Sequence, residues 1–237
     1  MDLLAKIAAW FANPATWSGP DAIPIRLLEH VGISAASLLI AGAIALPIGL
    51  AIGHTGRGAS FAINLANLGR AIPSLAAIGI VVPFTQALDP ELGFSLYPTV
   101  IGMVVLAIPP ILVNAYTGIA EVDRDLVESA RGMGLREREI LRGVEIPVAM
   151  PVLFAGIRSA AVQVIATATL GAIYAFGGLG RYIVDGVAQN DNGKLFGGVI
   201  LVAILALGAE ASLSVLQRSL TSPGVRRVEP STAGSVP

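Results

Sequence analysis

Residues 128–134 read Glu-Ser-Ala-Arg-Gly-Met-Gly, and residues 144–147 read Val-Glu-Ile-Pro. Both stretches belong to one charged segment, residues 120–147, which separates two long apolar runs and carries five of the fifteen basic residues of the chain. Charged side chains are rarely buried unless they are paired, so such a segment lies in water even when the rest of the sequence is apolar. We therefore expect the charged segment to be an exposed element that contacts a partner.

The composition is that of a membrane protein. Apolar residues make up 54% of the chain and charged residues 13%, and the mean hydropathy is +0.77. A soluble domain carries about 25% charged residues. The chain has no cysteine and only two, widely separated histidines, so we predict neither a disulfide nor a metal site. A net charge of −1 without a basic, aromatic stripe gives no reason to expect a nucleic-acid partner.

Five apolar stretches approach the length of about 20 residues that a membrane-spanning helix requires. They are residues 31–53, 71–88, 92–120, 147–175 and 195–216. The second could begin near Phe61, and a sixth span would need residues 60–69 to cross alone, although these ten residues are too few. The sequence thus predicts an all-α membrane protein with five or six transmembrane helices.

The basic residues predict the orientation, because loops rich in Arg and Lys stay in the cytoplasm. The charged segment, Arg57 and the basic residues after the last span fall on one side, and fewer basic residues fall on the other. We expect the charged segment and the C-terminus inside and the N-terminus outside. The predicted divisions are an extracytoplasmic or interfacial arm (residues 1–29), a transmembrane domain (30–220) and a disordered cytoplasmic tail (221–237).

Within the charged segment, the pattern predicts a short, bent, two-helix element. Residues 119–127 should continue the preceding span out of the membrane, and a helix should end near Gly134. A second helix should run over residues 135–142 and end before Pro147. Because Ala130 and Gly134 are four residues apart, we expect them to share a helix face and leave a smooth patch for a partner's backbone.

The chain has no nucleotide-binding loop of its own. Gly193-Lys194 lacks both the glycine five positions earlier, where Ala188 stands, and the hydroxyl residue that should follow the lysine. If ATP drives this protein, a different polypeptide must bind ATP and Mg²⁺. We accordingly predict no cofactor on this chain.

The charged segment resembles the loop by which permease subunits of bacterial ABC importers dock onto their ATPases. That pattern reads Glu-Ala-Ala, three residues, Gly, nine residues and Ile-x-Leu-Pro. Seven residues carry the resemblance: the matches Glu128, Ala130, Gly134 and Pro147, the substitution Ser129, and the conservative replacements Val144 and Ile146. The resemblance implies that these residues form an ATPase-coupling loop.

Residues 151–186 are similar to the permeases that import osmoprotectants such as glycine betaine, choline, carnitine and proline betaine. The similarity lies in Ala-Gly-Ile-Arg (155–158), Val-Gln-Val (162–164), Thr-Ala-Thr-Leu (167–170) and Gly-Gly-Leu-Gly (177–180). It implies the core of a type I importer permease in a bacterial cytoplasmic membrane. It also implies ATPase subunits, an external solute-binding protein and a second permease, identical or homologous. The alternative is a permease for another small solute, such as an amino acid of the methionine type.

A polar stripe in the fourth span is the candidate translocation path. Gln163 and Thr167 are four residues apart on one helix face, where they could line a path or form interhelical hydrogen bonds. Asn114 beside Pro109 and Pro110 could line the path or satisfy freed carbonyl groups. The full set of candidates is Gln163, Thr167, Thr169, Asn114 and Tyr116. Aromatic residues are too scattered to predict a cation cage, which we expect on the binding protein instead.

Rival functions find less support in the residues. An intramembrane enzyme would need paired carboxylates, a histidine cluster or a Ser/Lys pair, so no catalytic residue is predicted. Proton-coupled transport would require ionisable residues in several spans, and the five predicted spans contain only Arg158 and Glu210. We expect Glu210 to pair with Arg158 or Arg218. A channel would not need the charged segment.

Overall fold

A computed structural model describes residues 2–221, and these residues contain eleven α-helices and no strand. The helices are α1 (Leu3–Ala12), α2 (Ile23–Thr55), α3 (Ala59–Ala71), α4 (Ser74–Gly79), α5 (Val82–Leu88), α6 (Leu96–Ala120), α7 (Arg124–Gly132), α8 (Glu137–Ile140), α9 (Ile146–Ala168), α10 (Gly180–Ala188) and α11 (Asn192–Leu220). A π-helical turn, Leu141–Glu145, joins α8 to α9, and 3-10 turns occupy Pro14–Thr16 and Thr169–Tyr174.

Four of these helical stretches are long and apolar enough to cross a membrane. They are α2, α6, the continuous run from α8 through α9 (Glu137–Tyr174), and α11. The number of spans predicted, five or six, is therefore not confirmed within residues 2–221.

The predicted second span, residues 71–88, is wrong as a single helix. The structure breaks residues 59–88 into α3, α4 and α5. α3 ends at Ala71 because the residue before a proline avoids the helical conformation, and Ile72 is extended (φ −80°, ψ 121°) ahead of Pro73. Pro83 stands in the first turn of α5, where a proline is tolerated.

The centre of the molecule is α6, which packs against α2, α9 and α3. The α2–α6 crossing is close because glycines occupy the contact. A Cβ atom on Gly53 would lie 2.6 Å from Cβ of Ile119, and one on Gly49 would lie 2.6 Å from Cβ of Ala115. Small residues allow this approach between helices in lipid, where no hydrophobic effect drives their association.

An ion pair joins α9 to α11 within the apolar part of the molecule. Arg158 Nε donates to Glu210 Oε1 at 2.8 Å, and Arg158 Nη1 donates to Gln217 Oε1 at 2.8 Å. An unpaired charge at this depth would be costly, which explains why the two groups are matched. The pairing of Glu210 with Arg158 confirms one of the two predicted alternatives.

The N-terminal arm is folded against the rest of the chain. The Trp10 ring contacts the Tyr182 ring edge-on with centroids 5.2 Å apart, and it fills the space beside Gly197 of α11. Burial raises the pKa of Tyr182 to about 12. Because α2 already begins at Ile23, it runs through the predicted boundary at residue 29. The predicted disordered tail lies outside the described residues, apart from Thr221.

Candidate functional site

The first half of the charged segment is a separate helix, not a continuation of the preceding span. α6 ends at Ala120, and Asp123 begins α7 by accepting a hydrogen bond from the Asp125 amide to its Oδ1 atom at 2.9 Å. An aspartate in this capping position satisfies a free amide and favours a new helix start. The predicted continuous helix over residues 119–127 is therefore wrong, since Glu121–Asp123 interrupts it.

Gly134 lies two residues after the end of α7 and has a left-handed backbone conformation. Its φ is 87°, and a Cβ atom there would meet nothing within 4 Å. Glycine is needed at this position because residues with a side chain rarely adopt a positive φ. Ala130, in contrast, lies inside the helix and is only 2% exposed. The predicted patch shared by Ala130 and Gly134 is wrong, because Gly134 follows the helix and Ala130 faces the interior.

The exposed face of α7 and its C-cap is instead formed by Leu126, Ser129 and Met133. Leu126 is 45% exposed and Met133 is 75% exposed, and Ser129 and Glu128 are exposed beside them. Residues spaced three and four apart share one side of a helix. We call these three residues the α7 face. The sequence analysis did not predict Leu126 and Met133 as part of this face, although their spacing of three and four residues from Ser129 indicates a shared helix side.

The second half of the charged segment runs without a break into α9. The predicted helix end before Pro147 is wrong, because the chain continues from the π-helical turn through Pro147 into α9. Ile146 packs onto an apolar cluster that includes Ala115, Ile119 and Leu153, and Val144 and Pro147 are half-buried. Of the seven predicted coupling residues, Glu128, Ser129 and Gly134 are thus exposed, whereas Ile146 and Ala130 contribute to packing.

The two halves are held together by a two-pronged ion pair. Arg131 Nε and Nη2 donate to the two carboxylate oxygens of Glu137 at 2.8 and 3.0 Å. The hydrogen bond from Arg131 lowers the pKa of Glu137, and Glu137 raises that of Arg131. Both side chains are half exposed, so the pair orients α7 relative to α8 more than it stabilises the fold.

The candidate path residues do not form one compact site. Gln163 is half-buried and Thr167 is buried in α9, and the Gln163 side chain forms no hydrogen bond within residues 2–221. Thr167 lies about 30 Å along α9 from Ile146 at 1.5 Å per residue. Thr169 lies beyond it in the 3-10 turn, where its hydroxyl donates to the Ala166 carbonyl.

The two candidates in α6 have other surroundings. Asn114 Nδ2 donates to the Pro110 carbonyl at 2.8 Å, and Asn114 packs against Gly156 where α6 crosses α9. Tyr116 lies at the α2–α6 crossing and lines a cleft of about 480 Å³ beside the charged segment. Asn114 therefore has a role in helix packing, and Tyr116 lies about one turn from the end of α6.

A family model described as "Binding-protein-dependent transport system inner membrane component" matches residues 43–222. The chain belongs to this family. It is a transport permease of the inner membrane that crosses the bilayer several times. The match includes the whole charged segment and the run through α9 and α11.

Curated relatives of this permease cover most of its length. The carnitine transport permease protein OpuCB of Listeria monocytogenes is 36% identical over 202 residues, which is 85% of this chain and 89% of that protein. The choline transport system permease protein OpuBB of Bacillus subtilis is 34% identical over 204 residues, covering 86% and 91% of the two chains. The glycine betaine/carnitine/choline permease OpuCB of Bacillus subtilis is also 34% identical over 198 residues, covering 84% of this chain and 88% of that one.

A solved structure shares the fold. A chain from inward-facing crystals of the MetNI methionine ABC transporter superposes on this permease with a TM-score of 0.75 and 21% sequence identity. The superposition covers 89% of this chain and 99% of that chain. The fold predicted from the sequence, that of an all-helical importer permease, is confirmed.

Proposed function

We propose that this permease is the transmembrane subunit of an ATP-driven importer for betaine-type quaternary ammonium osmoprotectants. The observation that carries the substrate class is the identity of 34–36% with three permeases whose names specify carnitine, choline or glycine betaine. The methionine transporter is 21% identical, so it supports the fold alone. A solute-binding protein delivers the substrate, and a second permease subunit completes the path.

The α7 face docks onto a separate ATPase, which binds ATP and Mg²⁺. An exposed methionine and an exposed leucine on a short helix with a charged perimeter suit insertion into a socket of a soluble protein. Ser129 belongs to this face, Glu128 lies beside it, and Gly134 turns the chain back behind it. The charged segment and the C-terminus lie on the cytoplasmic side with the ATPase, and the N-terminus lies outside.

Gln163 and Thr167 line the path for the solute. A zwitterion crossing an apolar helix bundle requires polar groups that replace part of its hydration. The side-chain amide of Gln163 has no hydrogen-bond partner among residues 2–221, so it is available to a passing carboxylate or ammonium group. A path without an aromatic cage binds weakly, which leaves selection among solutes to the binding protein.

The proposal is tested by reconstituting the permease with its ATPases in liposomes and adding the binding protein. We expect ATP-dependent uptake of glycine betaine, carnitine or choline, and no uptake of methionine. Met133→Glu should abolish both ATPase association and uptake, because a charge would be forced into the docking socket, whereas Met133→Leu should preserve both. Uptake of methionine in place of the betaines would refute the substrate class, and full activity of Met133→Glu would refute the docking face.

A further inference from the structure

Four ionisable side chains connect the last turn of α2 to the charged segment. His54 Nδ1 lies 2.6 Å from Glu145 Oε2, and His54 Nε2 lies 3.3 Å from Glu137 Oε2. Glu137 in turn accepts both hydrogen bonds from Arg131 of α7. The His54 imidazole of α2 therefore contacts the π-helical turn before α9 through Glu145, and it contacts the start of α8 through Glu137. We call these four residues the His54 network.

The contact with Glu145 is shielded from solvent. Glu145 is only 5% exposed, and its hydrogen-bond partner within residues 2–221 is the His54 imidazole. A buried carboxylate without a partner is strongly unfavourable, so Glu145 needs the imidazole. The end of α2 does not depend on this imidazole, since α2 ends at Thr55 and the left-handed Gly56 caps it. The pair therefore calls for a reason other than ending α2.

The backbone around Glu145 is also irregular. The Ile146 amide donates to the Leu141 carbonyl, five residues earlier, so Leu141–Glu145 forms one wide π-helical turn. Such turns occur mostly as single insertions in α-helices and frequently at functional sites. In this turn Arg142 and Gly143 are exposed while Glu145 is buried against α2. The irregular turn thus presents Glu145 to His54.

The His54 network connects the end of α2 to α7, two elements that are separated by a cleft. The end of α2 is fixed to α6 by the close contact at Gly53. The cleft of about 480 Å³ separates this end of α2 from α7, with Arg124, Glu128 and Arg131 on its far wall. α7 packs mainly on α8 and the π-helical turn. Contacts between polar side chains, rather than close helix packing, thus reach from α2 across to the docking element.

We infer that His54 is a positioning residue that transmits movement of the charged segment to α2 during transport. The inference rests on the proposed docking of the α7 face onto an ATPase. Movement of α7 acts on Glu137 through Arg131, and movement of the π-helical turn acts on Glu145. Both carboxylates contact the same imidazole, so α2 follows the charged segment instead of moving independently. Loss of the network should uncouple ATP hydrolysis from solute movement without preventing ATPase binding.

The test measures solute uptake and ATP hydrolysis in the same proteoliposomes, containing the permease, its ATPases and the binding protein. The variants are His54→Ala, the double variant His54→Ala/Glu145→Ala, and Arg57→Ala as the control. Arg57 is an exposed cation in the turn after α2 and lies outside the His54 network. The double variant removes both members of the buried pair, so it remains informative if the unpaired Glu145 carboxylate prevents folding of His54→Ala.

We expect the double variant to bind ATPase and hydrolyse ATP, while solute uptake per ATP falls about tenfold, within the usual range of coupling between sites. Arg57→Ala should keep the ratio of the unaltered protein. An unchanged ratio in the double variant, or a parallel loss of hydrolysis and uptake, would overturn the inference while leaving the proposed function intact. Failure of the unaltered complex to import any betaine would instead refute the proposed function.

Discussion

Gln163 is the residue on which the proposed path depends most directly. Its half-buried amide is unpaired among residues 2–221, and Thr167 lies one turn further along the same face of α9. Gln163→Leu should lower maximal uptake of every betaine by about fivefold, the equivalent of one lost hydrogen bond of about 1 kcal/mol. The ranking of the solutes should not change, because a path residue acts on each solute alike.

The measurement is the initial uptake rate of glycine betaine, carnitine and choline at saturating binding protein. Thr117→Val is the matched control, because the Thr117 hydroxyl already donates to the Val113 carbonyl within α6. Its removal should leave uptake unchanged. A change in preference among the three solutes with Gln163→Leu would show that this residue selects substrates, contrary to the low-affinity path.

Gly134 and Ala130 in the charged segment differ in how well the sequence predicted their structural roles. The requirement for glycine at 134 was anticipated as the end of a helix, and its φ of 87° confirms a helix end there. The prediction that Ala130 shares an exposed face with Gly134 was wrong, because four-residue spacing defines a shared face only within a continuous helix. Which side of α7 packs inward depends on contacts with distant parts of the chain, and local spacing cannot supply them.

At the scale of elements, the α2–α6 crossing gives the sharpest stability prediction. Gly53 and Gly42 lie on the same helix, but a Cβ atom on Gly53 would lie 2.6 Å from Cβ of Ile119 and 2.8 Å from the Tyr116 carbonyl oxygen. At Gly42 the nearest atom is Leu46 Cδ1 at 4.0 Å. Gly53→Ala should therefore destabilise the permease by about 1–3 kcal/mol through overpacking.

Gly42→Ala should have the opposite sign, since alanine is favoured over glycine in a helix by up to about 1 kcal/mol. The measurement is the thermal unfolding midpoint of each purified permease in the same detergent. Equal midpoints for the two variants would contradict the close crossing. Because both substitutions add one methyl group to one helix, the difference between them reports the helix contact alone.

Element boundaries were less predictable than element types. Apolar length identified α2, α6, α9 and α11, since these runs need no tertiary information to be recognised. The breaks at residues 72–73 and 121–123 have local causes, a proline and a capping aspartate, which outweighed the apolar or amphipathic pattern around them. The burial of Glu145 beside His54, in contrast, depends on a contact between residues 91 positions apart.

At the scale of the whole molecule, the proposal requires that the α7 face and the α10–α11 turn lie on opposite sides of the membrane. The run from α8 to Tyr174 is long and apolar enough to cross once, and it separates these two exposed regions. The chain has no cysteine, so a single introduced thiol reports its own location. Ala188 and Arg138 are suitable positions, because both are exposed and lie outside the α7 face and the His54 network.

Ala188→Cys should react with a membrane-impermeant maleimide added to intact cells, and Arg138→Cys should react only after the membrane is permeabilised. The physical reason is that loops rich in basic residues stay in the cytoplasm, and the charged segment carries five arginines. Uptake by both variants should be measured in parallel, so that labelling is assigned to assembled permease. Labelling of Arg138→Cys in intact cells would place the α7 face outside, where no ATPase could reach it, and the docking proposal would fail with the orientation.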